Sequence, residues 1–505
     1  MATKLFKHQG EALHFSEDKK YYALLMEQGT GKTATVIFDI ARRYEAGEIN
    51  SVIVFAPNGV HTNWVIREIP IHLPEHIEYR CAAYYSGPNK AERQTIERLF
   101  DEPEKKCLRI FAFNWEALIT KDGKEAMDTF IEKFGKPMMI ADESQRIKNY
   151  SAKRTKQLFL LKKKSNVRVI MSGTAILNSP WDAFSQFGFL DPGILQITSY
   201  TAFRAEYAEL LPPGHGLLRH IVARTNGKYT PQVVARDEDG NPKWRNLDKL
   251  ERLIAPHSFR VLKKDCLDLP DKVYSQTFFR MTPAQVKAYK LLKDDLRLQL
   301  DDGRIAPMAR IAALTKLSQI VSGYFLVPGM GDVVQRIMPA DKNPKFDALL
   351  DLIEDSEGQI IIWARFRVEI DDICEILRKK DITHVQYHGG IKRGDRPQAI
   401  RDFESGAARV FVGQQAAGGT GITLIAPNSA AATISVIYFS NTFALEDRLQ
   451  SEDRAHRIGQ EKTVRYVDIL AANTIDERIV ESLRSKVNLA QHVLGDKRRA
   501  LDLLE

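Results

Sequence analysis

The chain has 505 residues, which is too long for one hydrophobic core, so we expect two or three domains. Hydrophobic residues make up 44% and charged residues 27% of it, a composition typical of soluble globular proteins. The formal net charge of +8 permits a nucleic-acid partner but does not require one.

Several classes of protein are disfavoured by the sequence. No run of 18 or more apolar residues occurs, so we expect no membrane partner, and the N-terminus has no apolar signal core. The four cysteines (Cys81, Cys107, Cys266 and Cys374) are scattered without a CxxC pair, which argues against zinc and disulfides. We expect an intracellular protein, cytoplasmic in a prokaryote or virus and nuclear in a eukaryote.

Short β-branched runs alternate with amphipathic helical stretches in two groups, before about residue 175 and after about residue 358. Each run has four to six apolar residues bounded by Gly, Pro or charge, which is typical of buried parallel strands. Alternation with helices implies doubly wound sheets. The predicted strands include SVIVFAP (51–57), LRIFAF (108–113), PMMIADE (137–143), VRVIMSGT (167–174), QIIIWA (359–364), ARVFVG (408–413) and ISVIYFS (434–440).

Between the two groups of strands, residues 283–300 and 308–321 have helical periodicity. The polar segment 211–246 contains an Asp-Gly-Asn-Pro sequence that predicts a hairpin turn. We interpret this segment as a solvated insertion, with contact to a duplex as the alternative. The predicted domains are a first lobe (1–262, with a helical and hairpin insertion around 200–260), a linker (263–280), a helical protrusion with a second lobe (281–473) and a C-terminal brace helix (474–505).

The segment EQGTGKT (27–33) lies between the apolar run YYALLM and a helical run, which is the context of a P-loop. Its backbone N–H groups and the helix N-terminus would bind phosphate, Lys32 would reach the β and γ phosphates, and Thr33 would ligate Mg²⁺. Met26 stands where the strict pattern has Gly, and a glycine turn that caps a helix is the alternative. The predicted nucleotide contacts here are Gly29, Thr30, Gly31, Lys32 and Thr33.

Asp142 and Glu143 directly follow a predicted strand, at the edge where parallel sheets bind ligands. Asp142 would hold Mg²⁺, and Glu143 would orient and deprotonate the attacking water. The sequence therefore predicts ATP and Mg²⁺ as cofactors.

Beyond these motifs, DESQRIKN (142–149) resembles the DEAHRIKN motif of Swi/Snf-type superfamily 2 helicase-like ATPases. LFKHQ (5–9) is similar to the upstream glutamine motif, which implies that Gln9 reads the adenine edge. The first half also contains VFAPNGVHTNWVIRE (54–68), which resembles APxxxxxNWxxE, MSGTAILNSPWDAF (171–184), which resembles SGTPxxN, and IAPHSFRVLKKDCLDLP (254–270).

The second half continues the resemblance in the same order. It contains YHGG (387–390), DRPQAIRDF (395–403), AAGGTGITLIAP (416–427), which is similar to motif V, and LQSEDRAHRIGQ (449–460), which is similar to motif VI. The resemblance implies an α/β fold of two RecA-like doubly wound parallel-sheet lobes with helical insertions between them. Gly421 of motif V joins the predicted nucleotide contacts. Three positions depart from the family pattern: Gln145 for His, Ala175 for Pro and Thr423 for Asn.

Gln450, Arg454 and Arg457 have the spacing of one helical face, and Gly459 would end that helix. A solvated stripe is the alternative, but Arg presents a planar donor fork suited to γ-phosphate oxygens. We predict catalytic roles for Arg457 first, Arg454 second and Gln450, and a structural role for His456.

The resemblance also places nucleic acid on both lobes, gripped through its phosphates. For Trp64 we favour packing over stacking on a base. The predicted nucleic-acid contacts are Asn63, Trp64, Arg146, Lys148, Gly418, Gly419, Thr420 and Thr423.

We predict a monomeric, DNA-dependent ATPase that translocates on double-stranded DNA without strand separation and displaces or remodels bound factors, such as a DNA-bound protein complex. Three alternatives stay open. They are a strand-separating helicase, a nucleotide-switched module acting on a protein partner such as RNA polymerase, and a motor subunit of a restriction system.

Overall fold

The computed structural model describes residues 4–102, 106–212, 215, 232–238, 240–301, 307–326, 333–392, 395–415, 422, 424–425, 433–457 and 459–494. The chain divides into two compact units. The first comprises Met1–Leu211, Gln232–Asp268 and Lys486–Glu505, and the second comprises Pro212–Pro231 and Leu269–Ser485.

The first unit contains a seven-stranded sheet in the order β3-β4-β2-β5-β6-β1-β7, and all of its strand pairs are parallel. Because the strands run in one direction, their carboxyl ends meet at one edge, where such sheets bind ligands. The strands are β1 (Tyr21–Met26), β2 (Ser51–Ala56), β3 (Tyr79–Ala83), β4 (Leu108–Asn114), β5 (Met138–Asp142), β6 (Val167–Met171) and β7 (Ser258–Val261).

Hydrophobic clusters cover both faces of this sheet. In β2, Ile53 and Phe55 belong to one cluster, while the alternate residues Val52 and Val54 belong to the other. Side chains alternate along a strand, so this division is what a doubly wound sheet requires. The helices of the first unit are α1 (Lys7–Ser16), α2 (Lys32–Glu45), α3 (Val60–Asn63), α4 (Ile69–His72), α5 (Lys90–Phe100), α6 (Lys121–Phe134), α7 (Lys153–Leu161), α8 (Asp182–Leu190), α9 (Tyr200–Glu206), α10 (Leu247–Ile254) and α11 (Lys263–Cys266).

The second unit contains a six-stranded sheet in the order β12-β13-β11-β14-β15-β8, again with parallel pairs throughout. Every residue of its central strand β11 is buried, so this sheet too is covered on both faces. The strands are β8 (Lys272–Phe279), β11 (Ile360–Ala364), β12 (His384–Tyr387), β13 (Val410–Gln414), β14 (Thr433–Tyr438) and β15 (Thr463–Ala471), with a separate antiparallel pair, β9 (Tyr324–Leu326) and β10 (Val334–Arg336). The predicted fold class of two α/β lobes with parallel sheets is confirmed.

The second unit also contains helices, and the first two along the chain correspond to those predicted at 283–300 and 308–321. The predicted linker 263–280 is wrong over 272–279, because those residues form β8 and pair with β15. The helices are α12 (Pro283–Asp301), α13 (Pro307–Val321), α14 (Pro344–Glu354), α15 (Arg367–Lys379), α16 (Arg396–Glu404), α17 (Leu445–Ala455) and α18 (Ile475–Val493).

The predicted hairpin around residue 240 is present in the described part of the insertion. Isolated antiparallel bridges join Leu210 to Val234 and Arg236 to Pro242, and Gly240 has a φ of +86° in the turn. The predicted C-terminal helix corresponds to α18, whose residues from Lys486 onward belong to the first unit, and Leu489 and Val493 are part of that unit's core. Across the described residues, we find no helix both long and apolar enough to cross a bilayer.

A buried ionic cluster holds α17 against the sheet of the second unit. The Arg448 Nε donates to Glu452 Oε1 at 2.9 Å, and its Nη1 donates to Asp468 of β15 at 2.5 Å. Lys272 Nζ and the Tyr274 hydroxyl of β8 donate to Glu452 Oε2 at 3.2 and 2.7 Å. Burial raises the pKa of the Glu452 carboxyl, but Lys272 and Arg448 outweigh it and bring this pKa to about 2.

We expect Arg448→Ala to lower the free energy of unfolding of the second unit by about 3–5 kcal/mol, because it leaves buried carboxylates without their cation. Urea unfolding of the full chain measures this loss. The control is Arg401→Ala on α16, where Arg401 is exposed and the change should stay within about 0.5 kcal/mol. Equal effects of the two substitutions would contradict a stabilising role for the cluster.

Candidate nucleotide site

The loop between β1 and α2 has the backbone of a phosphate-binding turn. Gly29 and Gly31 have φ values of +82° and +83°, a region that favours glycine. A Cβ atom on Gly31 would also lie 2.1 Å from the Gln9 Nε2 atom. The conformation therefore favours glycine at position 31, and a side chain there would also displace the Gln9 amide.

Lys32 begins α2 and is buried, with Thr33 half-buried beside it in the first helical turn. The Lys32 ammonium donates to the main-chain oxygens of Met26 at 2.8 Å and Glu27 at 3.1 Å. These bonds hold the cation within the loop, where the N-terminus of α2 also favours an anion. The arrangement fits a triphosphate and an Mg²⁺ ligand at Thr33.

The start of α1 is bound to the same loop. Gln9 Nε2 donates to the Gly31 oxygen at 3.2 Å, and Gln9 Oε1 accepts from the Phe6 N–H at 2.8 Å. His8 Nε2 lies 2.8 Å from the Thr30 oxygen. The Gln9 amide thus binds the main chain of the phosphate loop. Adenine recognition by Gln9 stays a prediction.

Asp142 ends β5 and is only 6% exposed. Its Oδ1 accepts from the Glu143 N–H and its Oδ2 from the Trp64 indole Nε1, both at 3.0 Å. Burial and the neighbouring Glu143 raise the pKa of the Asp142 carboxyl to about 7, while Trp64 and Lys32 act to lower it.

This donor set fits a divalent cation. Mg²⁺ is held in proteins by one or two carboxylates together with substrate phosphates and water. A buried carboxyl that resists ionisation gains most from such a cation, which would take the place of its proton. Asp142 and Thr33 are the residues that would hold Mg²⁺.

Glu143 is half-buried and has a φ of +51°, a strained conformation for a residue with a side chain. Its Oε2 accepts from Gln145 Nε2 at 2.7 Å, and Gln145 Oε1 accepts from the Ser172 hydroxyl at 2.8 Å. Ser172 Oγ in turn accepts from the Thr174 N–H at 3.0 Å. Gln145, which replaces the usual His, therefore links the predicted base to the Ser-Gly-Thr segment.

The predicted arginine pair lies in the second unit. α17 ends at Ala455, so the expectation that one helical face carries both Arg454 and Arg457 is wrong for Arg457. Both Nη1 atoms nevertheless donate to the Ile422 oxygen, at 3.3 and 3.4 Å. His456 Nε2 lies 2.8 Å from the Pro270 oxygen, which fits its predicted structural role, and Gln450 donates to Glu446 on α17.

The predicted nucleic-acid contacts have different environments. Arg146 is exposed, Lys148 is half-buried, and Asn63 Nδ2 donates to Glu68 Oε1 at 3.3 Å. Trp64 is 1% exposed, so its indole cannot contact a nucleic acid in this structure. Its indole N–H instead donates a hydrogen bond to the Asp142 carboxylate. Gly418, Gly419, Thr420, Gly421 and Thr423 lie outside the described residues.

Sequence reasoning missed two residues of this site. Trp115 Nε1 donates to the main-chain oxygen of Asp142 at 3.2 Å, and Ser172 completes the link from Glu143. Trp115 directly follows β4 and Asp142 ends β5, 27 positions further along the chain, so no local pattern joins them.

Comparisons with known proteins agree with these motifs. A family model described as SNF2-related domain matches residues 12–322, and one described as Helicase conserved C-terminal domain matches residues 344–459. The chain is 24% identical over 482 residues to "Chromodomain-helicase-DNA-binding protein 1-like" of Mus musculus, covering 93% of this chain and 47% of the relative. It is 26% identical over 503 residues to an uncharacterized ATP-dependent helicase of Mycoplasma genitalium, covering 97% and 42%.

The chain thus spans less than half the length of these curated relatives. A solved structure of a "Sulfolobus solfataricus SWI2/SNF2 ATPase core in complex with dsDNA" is 21% identical, with a TM-score of 0.41 and coverage of 98% of this chain and 97% of that one. A TM-score this low supports no conclusion.

We expect Gln145→Ala to slow nucleotide hydrolysis by about 10–100-fold, because a hydrogen bond to a charged group is worth about 1.5–3 kcal/mol. Nucleotide affinity should change little, since Gln145 lies outside the phosphate loop. Gln145→His, which restores a ring N–H donor, should recover part of the rate. Turnover and nucleotide dissociation constants for both variants decide this, and wild-type turnover in Gln145→Ala would refute the link.

Proposed function

The chain belongs to the SNF2-related family of helicase-like ATPases, and on that basis we propose that it hydrolyses ATP with Mg²⁺ to move along double-stranded DNA without separating the strands. The observation that carries the proposal is that one parallel sheet places a buried Lys32, in the loop after β1, and a buried Asp142, at the end of β5, at the carboxyl ends of its strands. This pairing of a phosphate lysine with a metal carboxylate is typical of phosphoryl transfer sites.

Each residue of the site has a separate role in this proposal. Lys32 and the loop N–H groups bind and orient the phosphates, and Mg²⁺, held by Thr33 and Asp142, would neutralise developing charge when bound. Glu143 accepts the proton of the attacking water, with its carboxylate oriented by Gln145. Arg454, Arg457 and Gln450 remain candidate catalytic residues, and Gln9, Gly29, Thr30, Gly31 and Gly421 remain candidate nucleotide contacts.

Two observations support duplex DNA as the substrate. The murine relative is named as a DNA-binding helicase, and the chain carries exposed or half-exposed cations, Arg146 and Lys148, directly after its acidic motif. Such side chains bind phosphates and carry no sequence information. Asn63, Gly418, Gly419, Thr420 and Thr423 remain further candidate contacts.

The proposal that strands stay paired rests on the connection between β14 and α17. Opening a base-pair step costs on average about 1.4 kcal/mol of stacking, and a motor that opens duplexes needs a wedge to supply it. β14 ends at Tyr438 and α17 begins at Leu445, which leaves no room for an inserted wedge there. The hairpin of the first unit is the remaining candidate for one. We propose a monomeric motor that displaces or remodels proteins bound to DNA.

We expect Lys32→Ala to weaken ATP binding strongly, because the phosphate charge loses its cation. Glu143→Gln should bind ATP normally and turn it over at least about 100-fold more slowly, in the range of a lost general base. Equilibrium binding and steady-state hydrolysis, each with and without duplex DNA, measure both effects. The matched controls are Lys121→Ala and Glu125→Gln, which change exposed residues of α6. Near-normal turnover by Glu143→Gln would remove Glu143 from its role.

We expect duplex DNA to stimulate ATP hydrolysis more than single strands or RNA, and a third strand bound in the major groove to be stripped only with ATP. A forked duplex with a single-stranded tail should stay paired, because no wedge acts at the fork. Opened forks without triplex displacement would favour the strand-separating helicase. Hydrolysis without either product would favour a nucleotide-switched module that acts on a protein partner.

A further inference from the structure

Trp64 lies between the first unit's core and the Asp142 carboxylate. It is 1% exposed and belongs to the hydrophobic cluster that also contains Val54 of β2 and Ile140 of β5. Its ring is therefore enclosed in the hydrophobic core of the first unit. Only its indole N–H has hydrogen-bonding capacity, and that group points to Asp142 Oδ2.

The hydrogen bond determines how the carboxylate is turned. Asp142 Oδ1 accepts from the Glu143 N–H, and Oδ2 accepts from Trp64, so each oxygen has one donor and keeps lone-pair capacity for a cation or its water. Two donors on the two oxygens restrict rotation of the carboxylate about its own axis. Loss of the indole N–H would leave Oδ2 without this partner.

The chemical nature of the donor matters as well. An Arg or Lys at this position would neutralise Asp142 and compete with a divalent cation for it. An indole N–H is neutral, so it orients the carboxylate without adding a charge that would compete with a cation. Loss of such a partner behind a metal ligand typically lowers metal affinity or activity 10–100-fold.

The backbone at Trp64 has an unusual helical conformation. Trp64–Glu68 forms a π-helical turn between α3 and α4, with the Ile69 N–H donating to the Trp64 oxygen. Such a turn holds one residue more than an α-helical turn, and it frequently marks a functional site.

We propose that Trp64 is a positioning residue for the Mg²⁺ site, which turns the Asp142 carboxylate toward the cation through its indole N–H without neutralising it. The inference rests on the proposed function, because it presupposes a nucleotide-bound Mg²⁺ at Asp142. It predicts that Trp64 acts on the metal and not on the nucleotide, whose contacts lie in the phosphate loop.

The test is Trp64→Phe, which keeps an aromatic ring in the core and removes the N–H donor. The matched control is Trp363→Phe in the second unit, where a buried indole N–H has no hydrogen-bond partner among the described residues. Calorimetric titration with a non-hydrolysable ATP analogue, once with Mg²⁺ and once with EDTA, gives the factor by which Mg²⁺ raises affinity. Thermal unfolding of each variant measures any general loss of stability.

We expect this Mg²⁺ factor to fall by about 10-fold in Trp64→Phe, while the affinity in EDTA stays at the wild-type value. The Mg²⁺ concentration for half-maximal hydrolysis should rise in parallel, with turnover largely recovered at high Mg²⁺. Trp363→Phe should leave the factor unchanged even where it lowers the unfolding temperature.

Two results would overturn the inference, and they differ from a failure of the proposed function. An unchanged Mg²⁺ factor in Trp64→Phe, with a normal wild-type response, would reduce Trp64 to a packing residue and leave the ATPase proposal intact. Equal losses of affinity with Mg²⁺ and with EDTA would have the same meaning. A wild-type chain that shows no Mg²⁺-dependent nucleotide binding would instead refute the proposed function, and the positioning role with it.

Discussion

Burying the Asp142 carboxyl beside the Glu143 carboxyl is unfavourable as long as no cation is bound, because two like charges in a poorly solvated place repel each other. The surroundings reduce this cost without removing it. Trp64 and the Glu143 N–H each donate a hydrogen bond, and the Lys32 ammonium adds a positive field. The carboxyl is thereby kept in place with an incomplete charge balance, which a divalent cation on a nucleotide would complete.

The backbone next to this carboxyl is strained. Glu143 has a φ of +51°, which costs on the order of 1–3 kcal/mol for a residue with a side chain. The Glu143 carboxylate accepts a hydrogen bond from Gln145, which in turn accepts one from the Ser172 hydroxyl. The phosphate loop also has an unusual backbone, because Gly29 and Gly31 adopt the left-handed conformation that favours glycine. Local strain at this edge of the sheet therefore accompanies a fixed arrangement of charges.

The sequence predicts those parts of the molecule whose signal is local. Central strands such as β2 and β11 are continuous apolar runs because both of their faces are buried, and the phosphate loop is a contiguous motif. The sequence of β8 predicts a linker because this edge strand has mixed polarity, and its identity as a strand depends on pairing with β15. The hydrogen bond from Trp64 to Asp142 spans 78 positions, and only the folded chain brings the two residues together. Residue spacing alone predicts that Arg457 lies on a helix, whereas the helix ends at Ala455.

The second unit also buries carboxylates, but it places cations of the chain beside them. Its cluster contains two cations, Arg448 and Lys272, which pair with the buried carboxylates Glu452 and Asp468, and Lys272 Nζ also lies 3.9 Å from Asp453 Oδ1, so each buried carboxylate has a cation of the chain beside it. Replacing such a cluster by apolar residues is often neutral or stabilising, so its advantage lies in where it holds α17 and not in stability alone. The two arginines that follow are both fixed on the Ile422 oxygen. The buried carboxylates that hold α17 thus have cations of the same chain beside them, whereas the Asp142 carboxyl accepts hydrogen bonds from two neutral donors, and under the proposed function the cation of a bound nucleotide would balance its charge.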